Sequence, residues 1–231
     1  MRGPRVVSLV PSATETLLSL GADVVACTRF CEQPELRHVG GTKNPDIDAI
    51  VALAPDLVVV DEEENRREDA AALSSAGLDL LVLAVRSVED AMAAVGELAR
   101  RTGRSAPDLT VAAPPAVRAR AFVPIWRRPW MTINGDTYGA AVLRAIGIEL
   151  VTADFPERYP TIELPDLATL APDVVLVPSE PYSFTDAHGD ELRAAVPDAA
   201  VVRVDGQDLF WWGTRTPGAI ERLRLAASAS R

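Results

Sequence analysis

The feature that most constrains the fold is an internal repeat. Residues 53–60 read LAPDLVVV and residues 170–177 read LAPDVVLV. Each copy follows a short helical pattern, contains an apolar strand pattern and leads into a loop that carries a carboxylate. Since the two copies occupy equivalent positions in two β/α frames, the chain is predicted to contain two similar α/β lobes of roughly 100 residues each.

Strand and helix patterns alternate within each predicted lobe. Apolar runs at residues 5–10, 56–60 and 80–83 are separated by helical patterns, and the alternation restarts at residues 121–125. Alternation of this kind predicts parallel sheets covered by helices. One long helix over residues 87–101 is predicted to join the lobes. We predict an N-terminal lobe at 1–86, a bridging helix and linker at 87–118, and a C-terminal lobe at 119–231.

Two local signals predict where helices of the first lobe begin. Residues 12–15 read SATE, the S-x-x-E capping box that opens a helix. Asn44-Pro45 has the order of an N-cap followed by a proline in the first turn, which predicts a second helix start. In an open α/β sheet, ligands bind at the carboxyl ends of the strands, so a ligand cleft is expected between the two lobes.

The net charge excludes several classes of partner. The chain has 33 acidic and 23 basic residues and a formal net charge of −10. Such a surface repels phosphate backbones and anionic lipids, so no nucleic-acid partner is expected. No apolar run approaches the ~18–20 residues that span a bilayer, so membrane insertion is not expected. We expect a monomer.

Two features favour a cytoplasmic location. The opening residues MRGPRVVSLVPSATE show no secretory leader pattern. Cys27 and Cys31 are spaced C-x3-C, which fits neither a disulfide framework nor a zinc ribbon. We therefore expect a cytoplasmic protein; a periplasmic or extracellular one is the alternative if the native gene encodes a leader.

The usual catalytic signatures are missing, which favours a binding protein with no catalytic residues and no metal centre. The chain contains no P-loop, dinucleotide-binding, nucleophile-elbow or HExxH motif, and its only histidines are His38 and His188. An enzyme of cofactor or natural-product metabolism is the alternative. Carboxylates that follow predicted strand ends would serve it as acids, bases or metal ligands: Asp61, Glu62, Glu180 and Asp205.

Aromatic residues are few and unevenly placed. Of the 12 in the chain, Phe30 alone precedes residue 122. Most of the others follow predicted strands of the second lobe, where strand ends line the expected cleft. A cluster of rigid, flat, apolar side chains suits a large planar ligand. The clustered residues are Trp126, Trp130, Tyr182, Phe184, Phe210, Trp211 and Trp212.

Four segments carry a family resemblance: RVVSLVPSATETLLSLGA, CTRFCEQP, VGGTKNPDIDAIVALAPDLVVV and DEEENRRED. They resemble the first lobe of the cobalamin-binding (BtuF-like) group of helical-backbone substrate-binding proteins, in the class III periplasmic-binding-protein-like, TroA-like superfamily. The resemblance implies two α/β lobes joined by one helix, with a ligand in the cleft. It implies a large metal chelate, most readily cobalamin or another corrinoid, and no intrinsic cofactor. Related groups bind haem or ferric siderophores.

The resemblance and the strand-end positions together select the expected ligand-binding residues. Phe30 matches an aromatic residue against the corrin, and Trp211 to Thr214 match a loop that closes over the ligand. Ser12 and Gly41 are expected to offer backbone donors. The full expected set is Ser12, Phe30, Gly40, Gly41, Asn44, Glu62, Trp130, Tyr138, Tyr182, Phe210, Trp211, Trp212 and Gly213.

One departure from the family bears on partners. Relatives that serve ABC importers present a glutamate to the permease from an exposed helix of the first lobe. Here that segment reads Asn65-Arg66-Arg67-Glu68. Docking to an ABC permease is therefore not the leading expectation, and a haem- or siderophore-binding component of an importer is kept as an alternative.

Overall fold

The protein, described by a computed structural model over residues 3–228, divides into two compact units. Unit 1 comprises residues 3–85, Glu89–Leu109 and Trp212–Thr214, and unit 2 comprises Arg86–Val88, Thr110–Trp211 and residues 215–228. Each unit contains a parallel sheet with helices. The prediction of two α/β lobes with parallel sheets is confirmed.

Unit 1 is built on a five-stranded parallel sheet in the order β3-β2-β1-β6-β7. Strand β6 reads LVVVD and is buried along its whole length, as expected for a strand covered on both faces. Its elements are β1 (Arg5–Ser8), α1 (Pro11–Ser19), β2 (Asp23–Cys27), β3 (Arg37–His38), β4 (Gly40–Gly41), β5 (Asn44–Pro45), α2 (Ile47–Leu53), β6 (Leu57–Asp61), α3 (Arg67–Ser75), β7 (Leu80–Leu83) and nearly all of α4 (Val88–Thr102).

Unit 2 is built on a four-stranded parallel sheet in the order β11-β10-β8-β9. Strand β10 reads VVLVP and is also buried throughout, and its Val175 and Val177 pack in one core with Phe122. Its elements are β8 (Ala119–Phe122), α5 (Tyr138–Ala145), β9 (Ile148–Leu150), α6 (Leu164–Leu170), β10 (Val174–Pro178), α7 (Asp186–Ala195), β11 (Ala200–Val204), α8 (Gly206–Phe210) and α9 (Thr216–Ser228).

The two LAPD segments make the same contacts in their own units. In unit 1, Asp56 accepts a hydrogen bond from the Arg5 amide at 2.8 Å; in unit 2, Asp173 accepts one from the Arg120 amide at 2.7 Å. The alanine of each segment ends its helix in the left-handed conformation, at φ 43° and 48°. The repeat therefore works as a helix-to-strand connector in both units.

Both predicted helix starts in the first lobe are wrong. Helix α1 begins at Pro11 with Val10 as N-cap and without a side-chain cap, because proline already has the φ of a first helical turn. Ser12 therefore lies inside the helix. Asn44–Pro45 forms strand β5, paired antiparallel with β4, and helix α2 instead begins at Ile47.

Two further observations complete the fold. Helix α8 was not predicted. It includes Phe210, which was expected in the loop after the predicted strand. Over residues 3–228, no helix combines the length and apolar character needed to cross a bilayer.

Unit 1 includes a short segment from far along the chain, Trp212–Thr214. The Trp212 side chain is only 5% exposed. The Thr214 amide donates to Thr16 Oγ1 at 3.3 Å, and the Thr214 hydroxyl lies 2.9 Å from the Ser19 hydroxyl. Gly213 between them has φ +127°, and a Cβ there would stand 1.9 Å from Thr16 Oγ1. The segment packs on α1 only because residue 213 lacks a side chain.

We predict that Gly213→Ala lowers the free energy of unfolding by about 3 kcal/mol or more, because it combines backbone strain with a clash. Chemical denaturation of the purified chain measures the change. Gly77→Ala is the matched control: Gly77 has φ +82° but nothing lies within 4 Å of its Cβ position, so it should lose only about 1 kcal/mol.

A double variant tests the cause of that loss. Thr16→Ala with Gly213→Ala removes the clashing hydroxyl, so it should recover about 1 kcal/mol relative to the sum of the single changes. Equal losses for Gly213→Ala and Gly77→Ala would show that the contact with Thr16 has no effect.

Candidate functional site

The exposed aromatic residue of unit 1 is Phe30, in the loop after β2. Its side chain is 49% exposed, and the Arg29 guanidinium carbon lies 4.7 Å from the ring centroid. The edge of the ring reaches Gly41, since a Cβ at Gly41 would stand 3.0 Å from Phe30 Cε2. A side chain at position 41 would therefore displace the ring. The structure therefore brings together two residues of the expected ligand-binding set, Phe30 and Gly41.

The hairpin of β4 and β5 supports this loop. The Arg29 amide donates to the Gly40 carbonyl at 3.0 Å, and Gly41 pairs with Asn44 across the hairpin. Gly40 has φ +90°, and a Cβ there would stand 2.5 Å from the Asn44 carbonyl oxygen. Gly40 is required by close backbone approach, whereas a Cβ at Gly41 would meet the side chains of Asn44, Arg29 and Phe30. Asn44 is exposed beside them.

Asn65 connects this hairpin to two other loops. Its side-chain oxygen accepts a hydrogen bond from the Asp61 amide at 2.9 Å, and its side-chain nitrogen donates to the carbonyls of Leu9 at 3.2 Å and Thr42 at 2.9 Å. The side chain is buried. From the sequence, Asn65 was expected only to belong to the segment that would face a permease. The one signal available for its structural role was a short polar residue soon after a buried strand, near a helix start.

Asp61 is a buried carboxyl group at the end of β6. It is 4% exposed, and its Oδ1 accepts a hydrogen bond from the Glu63 amide at 2.8 Å. Burial raises its pKa to about 6, with repulsion from Glu64 and Glu63 adding to the shift and backbone N–H groups opposing it. The neighbouring Glu62 is exposed. Lys43 Nζ donates to the Glu63 carbonyl, so the hairpin and this loop are linked a second time.

Trp211 is the best-anchored aromatic residue at the end of the unit 2 sheet. Its Nε1 donates to Glu180 Oε1 at 2.6 Å, and the Arg215 guanidinium carbon lies 5.5 Å from its ring centroid. Glu180 is itself packed against Gly206, where a Cβ would stand 2.5 Å from Glu180 Cγ. The indole is half-buried, so part of a rigidly held ring stays accessible.

A second aromatic group of unit 2 runs from the core to the surface. Trp130 is buried and stacks on Phe184 with ring centroids 5.8 Å apart and planes 5° apart. Tyr182 lies 4.8 Å from Phe184 and 5.0 Å from Trp126, again between ring centroids. Trp126 is 47% exposed. This group therefore offers Trp126 and part of Tyr182 to solvent, while Trp130 and Phe184 belong to the core.

Several expected ligand-binding side chains are buried. The Tyr138 hydroxyl lies 2.8 Å from the Thr216 hydroxyl, and burial raises the pKa of Tyr138 to about 12. Phe210 ends α8 and packs beside Gly139. Their roles in ligand contact stay predictions, as do those of the other expected residues. The buried members of the set are Ser12, Gly41, Trp130, Tyr138, Trp212 and Gly213.

The carboxylates that an enzyme would use have structural partners here. Asp61 and Glu180 bond to groups of their own units as described above, and Asp205 caps α8 by accepting from the Gln207 amide at 2.9 Å. Within residues 3–228, no three metal-ligating side chains converge. The arrangement holds loops in place and leaves aromatic rings accessible.

We predict that Asp61→Asn stabilises the protein at neutral pH. The folded-state pKa lies above the ordinary value of 3.8, so the fold favours the protonated carboxyl, and its contribution to stability is lost as the pH rises through about 6. The amide should therefore add roughly 1–3 kcal/mol to the free energy of unfolding at pH 7.5 and add little below pH ~4.

Denaturation at several pH values measures this difference. Glu62→Gln is the control, since it removes the same charge from an exposed neighbour and should change stability little. A gain for Asp61→Asn that does not depend on pH would contradict the assignment of the buried charge.

Known proteins resemble this chain in sequence and in fold. A family model described as "Periplasmic binding protein" matches residues 6–110. A vitamin B12-binding protein of Yersinia pestis (strain Pestoides F) is 25% identical over an alignment of 244 positions, which covers 96% of this chain and 83% of the relative. Both matches cover more of the chain than the four segments that carry the resemblance.

Two solved structures share the fold over nearly the whole chain. The periplasmic vitamin B12-binding protein BtuF of Vibrio cholerae has a TM-score of 0.79 at 19% identity, covering 99% of this chain and 98% of that one. The periplasmic heme-binding protein BhuT, in complex with two hemes, has a TM-score of 0.77 at 22% identity, covering 98% of each chain.

These comparisons also correct one prediction. The expected cytoplasmic location is wrong, because the matching family and these structural relatives are periplasmic binding proteins. The expectation depended on the opening residues and on cysteine spacing, and neither determines the compartment.

The comparisons support binding rather than catalysis, as the sequence predicted, since the matching family and the relatives are binding proteins. The resemblance recognised in the sequence is likewise confirmed: the chain is similar in sequence to vitamin B12-binding proteins, residues 6–110 match the periplasmic binding protein model, and the fold is that of BtuF.

Proposed function

We propose that the chain binds a tetrapyrrole-type metal chelate, with cobalamin or another corrinoid as the first candidate. The proposal draws on relatives described as vitamin B12-binding proteins. It also draws on the chemistry of the aromatic side chains that each unit leaves accessible. A corrin or porphyrin is broad, flat and largely apolar, with polar groups at its rim.

The observation that carries the proposal is the exposed ring of Phe30. It is the one aromatic residue of the first 121, and half of it lies open to solvent at the carboxyl end of the unit 1 sheet. Arg29 and Gly41 hold the ring in place. A preformed apolar surface of this kind binds a flat ligand with little ordering cost.

Unit 2 offers a second aromatic surface of its own. Trp211 is half-buried and fixed by Glu180 and Arg215, while Trp126 is exposed beside Tyr182. Charged groups next to a partly exposed indole suit a ligand that has an apolar face and a polar rim. We infer that Trp211 and Trp126 provide the ligand contacts of unit 2.

Haem is the second candidate ligand, because BhuT is described in complex with two hemes and has a similar fold. Periplasmic binding proteins of this family work with ABC transporters. We therefore infer that an ABC permease receives the ligand. Glu68, in the first turn of α3, has a side chain that is 69% exposed and thus available to a partner.

Calorimetric titration of the purified chain with cobalamin, cobinamide and haem tests the ligand class. Saturable binding of cobalamin or cobinamide supports the corrinoid proposal. Binding of haem alone would refute the corrinoid assignment in favour of haem. The absence of heat with all three ligands, up to high micromolar concentrations, would refute the tetrapyrrole proposal.

We predict that Phe30→Ala raises the Kd for the bound ligand roughly 10- to 100-fold, because about 1.5–3 kcal/mol of ring contact is lost. Val51→Ala is the matched control. Val51 is 38% exposed in unit 1 and lies in the last turn of α2. This turn is at the amino end of the sheet, away from Phe30, because the Leu53 carbonyl accepts a hydrogen bond from Arg5 at the start of β1.

The two variants should differ if Phe30 contacts the ligand. Val51→Ala should leave the Kd unchanged within a factor of two. An unchanged Kd in Phe30→Ala, with binding intact, would place the ligand elsewhere.

A further inference from the structure

Cys27 and Cys31 share a buried polar pocket of unit 1 that the proposed ligand contacts do not use. We propose that the two thiols form a redox-active pair, which closes to a disulfide when it meets a small-molecule disulfide such as oxidised glutathione. The proposal concerns a modification site and does not depend on which ligand the protein binds.

The two sulfur atoms converge although their backbone positions differ. Cys27 ends strand β2, and the chain then makes a turn in which the Cys31 amide donates to the Thr28 carbonyl at 3.1 Å. This turn brings Cys31 back over the strand end, close enough to Cys27 for each thiol to shift the pKa of the other. Two buried side chains that share one pocket need little rearrangement to form a bond.

The pocket stabilises negative charge on Cys31. The hydroxyls of Thr14 and Thr28 each lie 3.2 Å from Cys31 Sγ, and both residues are fully buried. The hydrogen bond with Cys27 contributes most to lowering the pKa of the Cys31 thiol below its usual range, and the two threonines add to it against the effect of burial. The same contact raises the pKa of Cys27. Cys31 is therefore the attacking sulfur.

Access to the buried thiols comes through the loop. Cys27 and Cys31 are 0% and 1% exposed, so the closed pocket admits no reagent. The neighbours of Cys31 on both sides, Phe30 and Glu32, are exposed, and this part of the loop has no helix or strand. Glu32 also has φ +54°, a strained value for this residue. Opening of this short segment exposes Cys31 without unfolding the sheet.

The reaction balances with one small disulfide. The Cys31 thiolate attacks one sulfur of oxidised glutathione, the glutathione S–S bond breaks, and one glutathione thiolate leaves. Cys27 then loses its proton and attacks the Cys31 sulfur, and the second glutathione leaves. Two protein thiols are oxidised to a disulfide, one glutathione disulfide is reduced to two thiols, and the two protons go to glutathione.

The bond would tie the Phe30 loop to the sheet. Residues 28–30 lie between the two cysteines, so the disulfide closes a ring that includes Phe30. The loop now held by hydrogen bonds would then be held covalently. The matched relatives are periplasmic, and disulfides persist in that compartment.

Thiol counting and intact mass on the folded chain test the proposal. The reduced protein is incubated with oxidised glutathione at pH 7.5 without denaturant, then quenched with acid. We expect the number of free thiols to fall from two to none, with a mass about 2 Da below that of the reduced chain and no glutathione attached. Circular dichroism during the reaction shows that the chain stays folded.

Two matched variants separate the roles of the cysteines. Cys27→Ser lacks the second sulfur, so it should stop at a glutathione adduct on Cys31. Cys31→Ser should react at least tenfold more slowly, because Cys27 lacks the two threonine hydroxyls. In the native chain, two remaining thiols, a lasting glutathione adduct or closure only after unfolding would each overturn the proposal.

Discussion

One buried amide group connects the loops at the carboxyl end of the unit 1 sheet. The side chain of Asn65 bonds to the backbone of Leu9 after β1, of Thr42 in the turn between β4 and β5, and of Asp61 at the end of β6. Buried backbone groups without partners are costly, so each loop is stabilised by the same side chain. The position of Phe30 depends on this arrangement, because its loop rests on the hairpin that Thr42 belongs to.

Polar and aromatic side chains have different roles at the carboxyl ends of the two sheets. The Asp61 carboxyl group accepts a hydrogen bond from the backbone of its own loop, and the Glu180 carboxyl group accepts one from the Trp211 indole. Rings such as those of Phe30 and Trp126 are left partly open to solvent. A site built in this way has a polar frame around an apolar contact surface, which suits binding.

Regular elements could be predicted from the sequence where the signal was local. Apolar runs and the LAPD repeat gave the sheets of both units, since buried parallel strands are continuous hydrophobic segments. Asn44–Pro45 was misassigned because a helix-start signal was overridden by strand pairing with Gly40–Gly41. Trp212 is buried by packing in unit 1, which no neighbouring residue indicates. Phe30 could be singled out from the sequence because it is the one aromatic residue among the first 121. That its ring is half exposed is known only from the structure.

The return of Trp212–Thr214 into unit 1 makes that unit discontinuous in sequence. The segment that matches the family model, residues 6–110, lacks these three residues, although Gly213 and Thr214 pack on α1. A gene fragment that encodes the first half alone would therefore leave α1 without the contacts that Gly213 and Thr214 make with Thr16 and Ser19. The boundary between the units therefore cannot be placed at a single peptide bond. Any division of this chain for expression, fusion or permutation has to carry both pieces.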